Sequence, residues 1–118
     1  MKYLCLVYDE ERTLYSLPGK EMDQLIRDHL DFDRDITQSG HMLGNNALEP
    51  VSAATTVRVR NGKISATDGP FAETKEQLGG YYLIEARDLN EAIQIAARIP
   101  SAKRGSIEVR PVREEMEV

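Results

Sequence analysis

The chain has 118 residues, read as one domain large enough to bury its own core. Its formal charge is −5, from 20 Asp and Glu against 15 Lys and Arg, and no basic run offsets that balance, which argues against a phosphate-backbone footprint and an obligate nucleic-acid partner. The lone Cys5 rules out an internal disulfide framework, no apolar run is long enough to span a membrane, and the N-terminus runs straight into a strand pattern without a leader, so the expectation is a single soluble, cytoplasmic domain over residues 1–118.

In chain order, residues 2–8 read as a strand that is apolar on both faces. Tyr3, Cys5 and Val7 face one way and Leu4, Leu6 and Tyr8 the other, the pattern of a strand covered on both sides. Cys5 inside it is expected to pack in the core rather than to act as a nucleophile. Residues 9–12 end the strand, and the polar stretch to Ser16 has no clear period. Pro18 suits a helix start, where a missing N–H costs little. From there Met22, Leu25, Ile26, His29, Phe32 and Ile36 keep helical spacing on one face, with Lys20, Asp23, Arg27, Asp31, Arg34 and Asp35 opposite. Gly40 suits the position just past the helix end. Residues 41–53 contain Gly44, Asn45, Asn46 and Pro50 and read as an irregular loop.

Residues 55–60 alternate as a strand, Asn61-Gly62 is a two-residue turn of the primed type, and residues 63–67 return. Such a turn fixes the register. Val59 then faces Ile64 and Val57 faces Ala66 on an apolar side, while Arg58 pairs with Ser65 and Arg60 with Lys63 on a side read as solvated surface. The hairpin is expected at the periphery of the sheet.

Residues 68–82, DGPFAETKEQLGGYY, open as a rigid turn. Pro70 fixes its own φ and keeps Gly69 out of the helical region, Gly69 accepts what dihedrals remain, and Asp68 can accept a backbone hydrogen bond downstream. Glu73, Lys75 and Glu76 make a charged segment, read as exposed loop or as lid. Gly79-Gly80 let the chain bend closely past a neighbour before a strand at residues 81–86, again apolar on both faces. The whole stretch is either a well-built connection or a loop that closes over a ligand. Asp88 and Glu91 form a capping box for a helix whose buried stripe is expected to be Leu89, Ala92, Ile93 and Ala96, and Pro100 ends it. Residues 106–110 make the last strand, with Ile107 and Val109 inward. A charged tail, Glu114 to Glu117, is expected to fray.

The order strand, helix, hairpin, strand, helix, strand is a split βαβ arrangement with right-handed crossovers. Its two helices cover one sheet face. A second copy is the simplest cover for the other, which makes a homodimer through the sheet the expected assembly.

The two histidines differ in kind. His41 lies in the irregular stretch and reads as a solvated polar residue. His29 sits in an apolar helical stripe, so it is either a core histidine satisfied by a partner or a general acid–base. A partner is required in either case, because burying an imidazole without one is costly. Asp9, at the end of the first strand, is the first candidate and Asp68 the second; an ionised carboxylate there would raise the His29 pKa. Tyr8, Tyr81 and Tyr82 are either pocket-lining hydroxyls or core aromatics. Two distant histidines and one buried cysteine make no metal cluster, Gly79-Gly80 lacks the Lys-Ser or Lys-Thr of a phosphate loop, and no serine sits in an elbow motif, so neither cofactor nor metal is expected.

The ungapped stretch from Asp68 to Tyr82 closely resembles the signature of the DGPF proteins in the YCII-related superfamily. The resemblance runs from MKYLCLVY at the start to Ile107-Glu108-Val109-Arg110-Pro111 near the end. It implies a ferredoxin-like α+β fold, with two helices on one face of an antiparallel sheet and an added hairpin, that pairs as a dimeric α+β barrel. Arg27-Asp28-His29-Leu30 is similar to the family's Arg-x-x-His-Leu but one residue shorter, and through it the resemblance implies an acid–base pair of His29 with Asp9, with Asp68 as a rival. The function implied is small-molecule binding with cofactor-free elimination or isomerisation on a compact substrate, a carboxylate among the options. That substrate would be held under the 68–80 loop, with Tyr8, Gly69, Pro70, Phe71, Glu73, Lys75 and Tyr81 around it. The alternatives are a non-catalytic ligand-binding or regulatory dimer, linked to an extracytoplasmic-function sigma factor, and a monooxygenase-type barrel.

Overall fold

Alternating burial along the first eight-residue strand organises the molecule. In β1 (Lys2–Asp9), Tyr3, Cys5, Val7 and Asp9 are buried and the residues between them are half-buried. The computed structural model describes residues 1–114; the expected tail from residue 115 on lies outside them. β1 is central, bonded antiparallel to β5 (Gln77–Glu85) on one side and β6 (Ser106–Pro111) on the other. β2 (Met42–Ala47) pairs antiparallel with the far edge of β5, giving the order β2-β5-β1-β6. Long α2 (Gly19–Gln38) links β1 to β2, α3 (Leu89–Ala96) links β5 to β6, and a short α1 (Glu11–Leu14) follows β1. This is a ferredoxin-like α+β fold, with β1 and β5, the two strands that read apolar on both faces, in the middle of the sheet.

The helices pack on one face. Phe32 and Ile36 of α2 and Ala92, Ile95 and Ala96 of α3 meet Tyr3, Cys5, Val7, Tyr82 and Ile84 in a single core. The rings of Phe32 and Tyr82 stand edge-to-face at 5.2 Å, a favoured aromatic geometry. Cys5 is fully buried, and burial pushes its thiol up to about 11, so it is a packing residue. The helix ends follow the sequence signals. Gly40 takes φ 81°, and the His41 N–H donates to the Ile36 carbonyl at 2.9 Å, closing α2. Asp88 caps α3 by accepting from the Glu91 N–H at 2.9 Å, while the Glu91 carboxylate accepts from the Arg87 N–H, one residue before the cap.

Four expectations are corrected. Residues 41–53 are not an irregular loop: they hold β2 and a single 3₁₀ turn, Val51–Ala53. Glycine and asparagine are poor strand formers. Here β5 supplies a full ladder on one side, and a register shift between Met42 and Gly44 absorbs Leu43. The hairpin of β3 (Thr55–Arg60) and β4 (Lys63–Asp68) forms a separate two-stranded sheet, not a part of the main one, although its turn and all four expected pairings are present. The glycines at 79 and 80 lie inside β5 rather than before it. Gly79 occupies a register shift opposite Val7 and Tyr8, and a Cβ on Gly80 would lie 2.9 Å from the Asn46 carbonyl oxygen, so the pair serves a bulge and a close strand approach. In α3 the buried residues are Ala92, Ile95 and Ala96, followed by Ile99, while Leu89 and Ile93 are about half exposed. The small alanines let the helix lie close to the sheet, and the chain beyond α3 turns Ile99 inward.

Beneath the sheet, Leu4, Leu6, Tyr8, Tyr81 and Leu83 remain only half-buried. The protein is a flat body of 48 × 46 × 19 Å with a radius of gyration of 16.4 Å, against about 13.5 Å for a compact chain of this length. The outstretched hairpin accounts for much of that excess, since every residue of β4 is exposed.

Candidate functional site

The helical stripe that carries His29 faces the end of the sheet where β1 and β2 finish and β5 begins. Between them lies a cavity of about 520 Å³. Leu14, Met22, Leu25, Ile26, Leu30 and Leu48 supply much of its apolar wall, and His29, Asp33, Tyr82, Ser101, Asp9 and Asn45 are among its polar residues. Ligand pockets commonly have this makeup of apolar lining with a few convergent polar groups.

His29 is held at both ring nitrogens. Nδ1 lies 3.2 Å from the Tyr82 hydroxyl and Nε2 lies 3.1 Å from the Ser101 hydroxyl. The Tyr82 hydroxyl in turn donates to Asp33 Oδ1 at 2.8 Å. His29 and Asp33 are four residues apart on α2 and so project from one face. Tyr82 comes up from β5, and Ser101 comes from the 3₁₀ turn Pro100–Lys103. Ser101 is 5% exposed, so its hydroxyl needs this partner.

Asp9 and Asp68 are placed elsewhere. Asp9 is buried at the end of β1, lines the same cavity, and is ion-paired with Arg104, whose Nε donates to Asp9 Oδ2 at 3.2 Å. Asp68 ends β4, exposed, and does not line this cavity. The direct partners of His29 are two neutral hydroxyls, and burial moves its pKa down rather than up. Burial disfavours the imidazolium, and the carboxylates of Asp33, Asp28 and Asp9 oppose that in decreasing order. Burial likewise raises the Tyr82 phenol, and its hydrogen bond to Asp33 adds to the shift. His41 sits apart, with Nδ1 2.7 Å from the Ser39 hydroxyl and Nε2 3.4 Å from Glu91.

The residues expected around the 68–80 loop divide between two places. Tyr81 lines the His29 cavity with Gly79 and Gly80. Tyr8, Pro70 and Phe71 line a second cavity of about 570 Å³ with Pro50, Val51 and Leu78. The Phe71 ring is 80% exposed at its edge. Glu73 and Lys75 are exposed and line neither cavity. Gly69 takes φ 100°, donates its N–H to the Ala54 carbonyl at 2.7 Å, and accepts at its own carbonyl from the Thr56 hydroxyl at 2.8 Å. The rigid turn therefore ties the base of the hairpin and lies over the second cavity, not over His29. Among the described residues, no group of three or more His, Cys, Asp or Glu is arranged to hold a metal ion, and no helix is long and apolar enough to cross a membrane.

The pattern of the YCII-related domain matches residues 1–116, nearly the full chain. The chain belongs to the YCII-related family. It is also 38% identical over 114 residues to an uncharacterised protein of Rhizobium meliloti (strain 1021), covering 95% of this chain and 92% of that protein. In this YCII-related protein the sequence singled out His29, Asp9, Tyr81 and Tyr82, all of which line one cavity. It missed Asp33, Ser101 and Arg104. Asp33 was legible in principle, as a carboxylate one turn beyond His29 on the same helical face. Ser101 and Arg104 follow a helix-ending proline, and nothing local in the sequence signals that their side chains return to the site.

Proposed function

We propose that this YCII-related protein binds a small molecule in the His29 cavity and performs cofactor-free acid–base chemistry there, of the lyase or isomerase kind. The observation that carries the reading is the imidazole held between two hydroxyls in an apolar cavity, one hydroxyl backed by a carboxylate. A lowered pKa keeps the ring neutral, and so able to take a proton, at pH 7. Among the described residues the lining contains Asp9 and Asp33 and no Lys or Arg, and Arg104, which reaches Asp9, is already engaged by it. A carboxylated ligand therefore meets like charge without a counter-ion, and a neutral compact ligand is favoured.

Three probes of matched size separate these cases: benzyl alcohol, benzylamine and benzoate. Followed through the ring resonances of His29 by NMR, benzyl alcohol is expected to shift them in a saturable way and benzoate to bind at least about tenfold more weakly, equivalent to about 1.4 kcal/mol. Tighter binding of benzoate, or no saturable response to any of the three, would remove this reading of the cavity.

The working unit is a homodimer formed over the open sheet face. Three observations support it: Leu4, Leu6, Tyr8, Tyr81 and Leu83 are only half-buried, Val57, Val59 and Ile64 are exposed on the hairpin's apolar side, and the body is flat. A two-stranded hairpin alone is marginally stable in water, so an apolar hairpin face needs cover. Light scattering is expected to give twice the 13.3 kDa chain mass, and Leu6→Lys to give the single mass. A wild-type monomer at high protein concentration would refute the dimer.

A further inference from the structure

The four groups Asp33, Tyr82, His29 and Ser101 have a hydrogen-bond order that their donor and acceptor counts fix. An ionised carboxylate only accepts, so the 2.8 Å contact between Asp33 and Tyr82 consumes the one phenolic proton. The Tyr82 oxygen can then only accept from His29, which places the imidazole proton on Nδ1. The other assignment, with Tyr82 donating to Nδ1, would leave the phenol oxygen and the carboxylate facing each other without a proton between them. With Nδ1 protonated, a neutral ring has its lone pair on Nε2, and the group 3.1 Å from that lone pair is the Ser101 hydroxyl. Ser101 must therefore donate to His29.

We infer that Asp33 and Tyr82 lock His29 in its Nδ1–H tautomer, and that Ser101 is the hydroxyl through which His29 exchanges a proton with a ligand in the cavity. This rests on the acid–base reading of the cavity, which Ser101 lines. In the forward step the Ser101 oxygen takes a proton from an acidic C–H of the ligand as its own proton passes to His29 Nε2. The C–H electron pair stays with the ligand and either delocalises or expels a leaving group. The imidazolium then returns a proton through Ser101 to a second ligand atom or to the leaving group, and all protons are restored. While charged, the ring has acceptors at both nitrogens, Tyr82 and Ser101, and faces Asp33 and Asp28 from α2 and the Arg104-paired Asp9 from β1. Asp33 and Tyr82 act as positioning residues.

The first test needs no ligand. Ring nitrogen NMR of the free protein is expected to show Nδ1 protonated and Nε2 bare on His29. Ser101→Ala keeps that assignment, because control comes from the other side of the ring. Tyr82→Phe reverses it, since the Ser101 oxygen then becomes the remaining acceptor for a ring N–H. A proton on Nε2 in the wild type, or reversal by Ser101→Ala with none by Tyr82→Phe, would overturn the locked order.

The second test uses a nitrobenzisoxazole, a neutral aromatic carbon acid. Loss of its ring C–H proton sends the electron pair into a nitrile as the N–O bond breaks to a coloured phenolate. At concentrations where the probe shifts the His29 resonances, the wild type is expected to exceed buffer, with the rate rising as His29 loses its proton. Ser101→Ala should lose at least about tenfold, and Ser101→Thr, which keeps the hydroxyl, should retain most of the rate. Equal rates in wild type and Ser101→Ala, or no rate above buffer with the probe bound, would overturn the relay. A locked tautomer in a cavity that takes none of the small probes would instead remove the acid–base reading, and with it the role of Ser101 in a reaction, while leaving the hydrogen-bond order intact.

Discussion

Gly105→Ala is expected to cost about 3 kcal/mol or more of stability, an outcome unusual for a single methyl group. The reason is space, not backbone freedom. A Cβ on Gly105 would lie 2.0 Å from the Tyr8 carbonyl oxygen and 3.0 Å from both the Tyr8 carbonyl carbon and the Asp9 Cα. All three are backbone atoms of β1, in the middle of the sheet, so no side chain can swing aside. The Gly105 N–H is also held by the Ser101 carbonyl at 2.8 Å, which pins the residue from the other direction. Relief requires the start of β6 to move off β1, drawing Arg104 away from Asp9 and shifting Ser101. Urea unfolding at neutral pH provides the measurement, with Gly19→Ala as the control. Gly19 opens α2 with nothing within 4 Å of a built Cβ, so alanine there should be neutral or stabilising by up to about 1 kcal/mol. A loss of less than about 1 kcal/mol for Gly105→Ala would show that β6 docks on β1 more loosely than this spacing requires.

The elements legible in the sequence were those with a strong local cause. The two-sided apolar pattern marked β1 and β5 as strands covered on both faces, and they are the two in the middle of the sheet. Asn61-Gly62 set the hairpin register residue for residue, and Gly40 and Asp88 marked real helix ends. β2 was hidden because its residues are poor strand formers, and only the edge of β5, some 35 residues away in sequence at Asn46 and Tyr81, makes them a strand. The buried stripe of α3 was displaced because five apolar positions on an eight-residue helix fit two overlapping faces. The chain beyond the helix decides between them by turning Ile99 inward.

The site was legible as a place more than as a constellation. A histidine in phase with Leu25 and Phe32 pointed to the cavity wall, and of the β5 tyrosines Tyr82, which reaches His29 from the helix-covered face of the sheet, belongs to that constellation. The expectation of a carboxylate on His29 failed in an instructive way. Carboxylates are present, but Asp33 reaches the ring through Tyr82 and Asp9 is taken by Arg104. The residue that takes Asp9, Arg104, arrives from 95 positions away, a pairing that only the docking of β6 on β1 creates. The DGPF turn, conspicuous in the sequence, shapes the hairpin base and a separate cavity.

Arg104→Ala should be nearly as damaging as the glycine substitution and should change the chemistry of the cavity as well. The Asp9 side chain is 8% exposed, and the Arg104 guanidinium is its ion-pair partner. Removing one member of a buried pair leaves an uncompensated charge, a loss of about 3 kcal/mol. Asp9→Asn is the gentler change, about 1 kcal/mol, because the Arg104 side chain is 23% exposed and its long stem can carry the charge to water. The double variant Arg104→Ala/Asp9→Asn has no stranded charge, so it should recover part of what Arg104→Ala loses, and the two substitutions should be strongly non-additive. His29 reports the electrostatic side of the same event. The Asp9 carboxylate already opposes the effect of burial on that imidazole, and without Arg104 its field is uncancelled. The His29 pKa should therefore move up in Arg104→Ala and down in Asp9→Asn, each measured by NMR titration. Opposite shifts in the two single variants identify Arg104 as the group that offsets the Asp9 field at His29, whose neutrality rests first on burial. Shifts of the same sign, or additive stability losses, would show that Asp9 and Arg104 act independently of each other and of the ring.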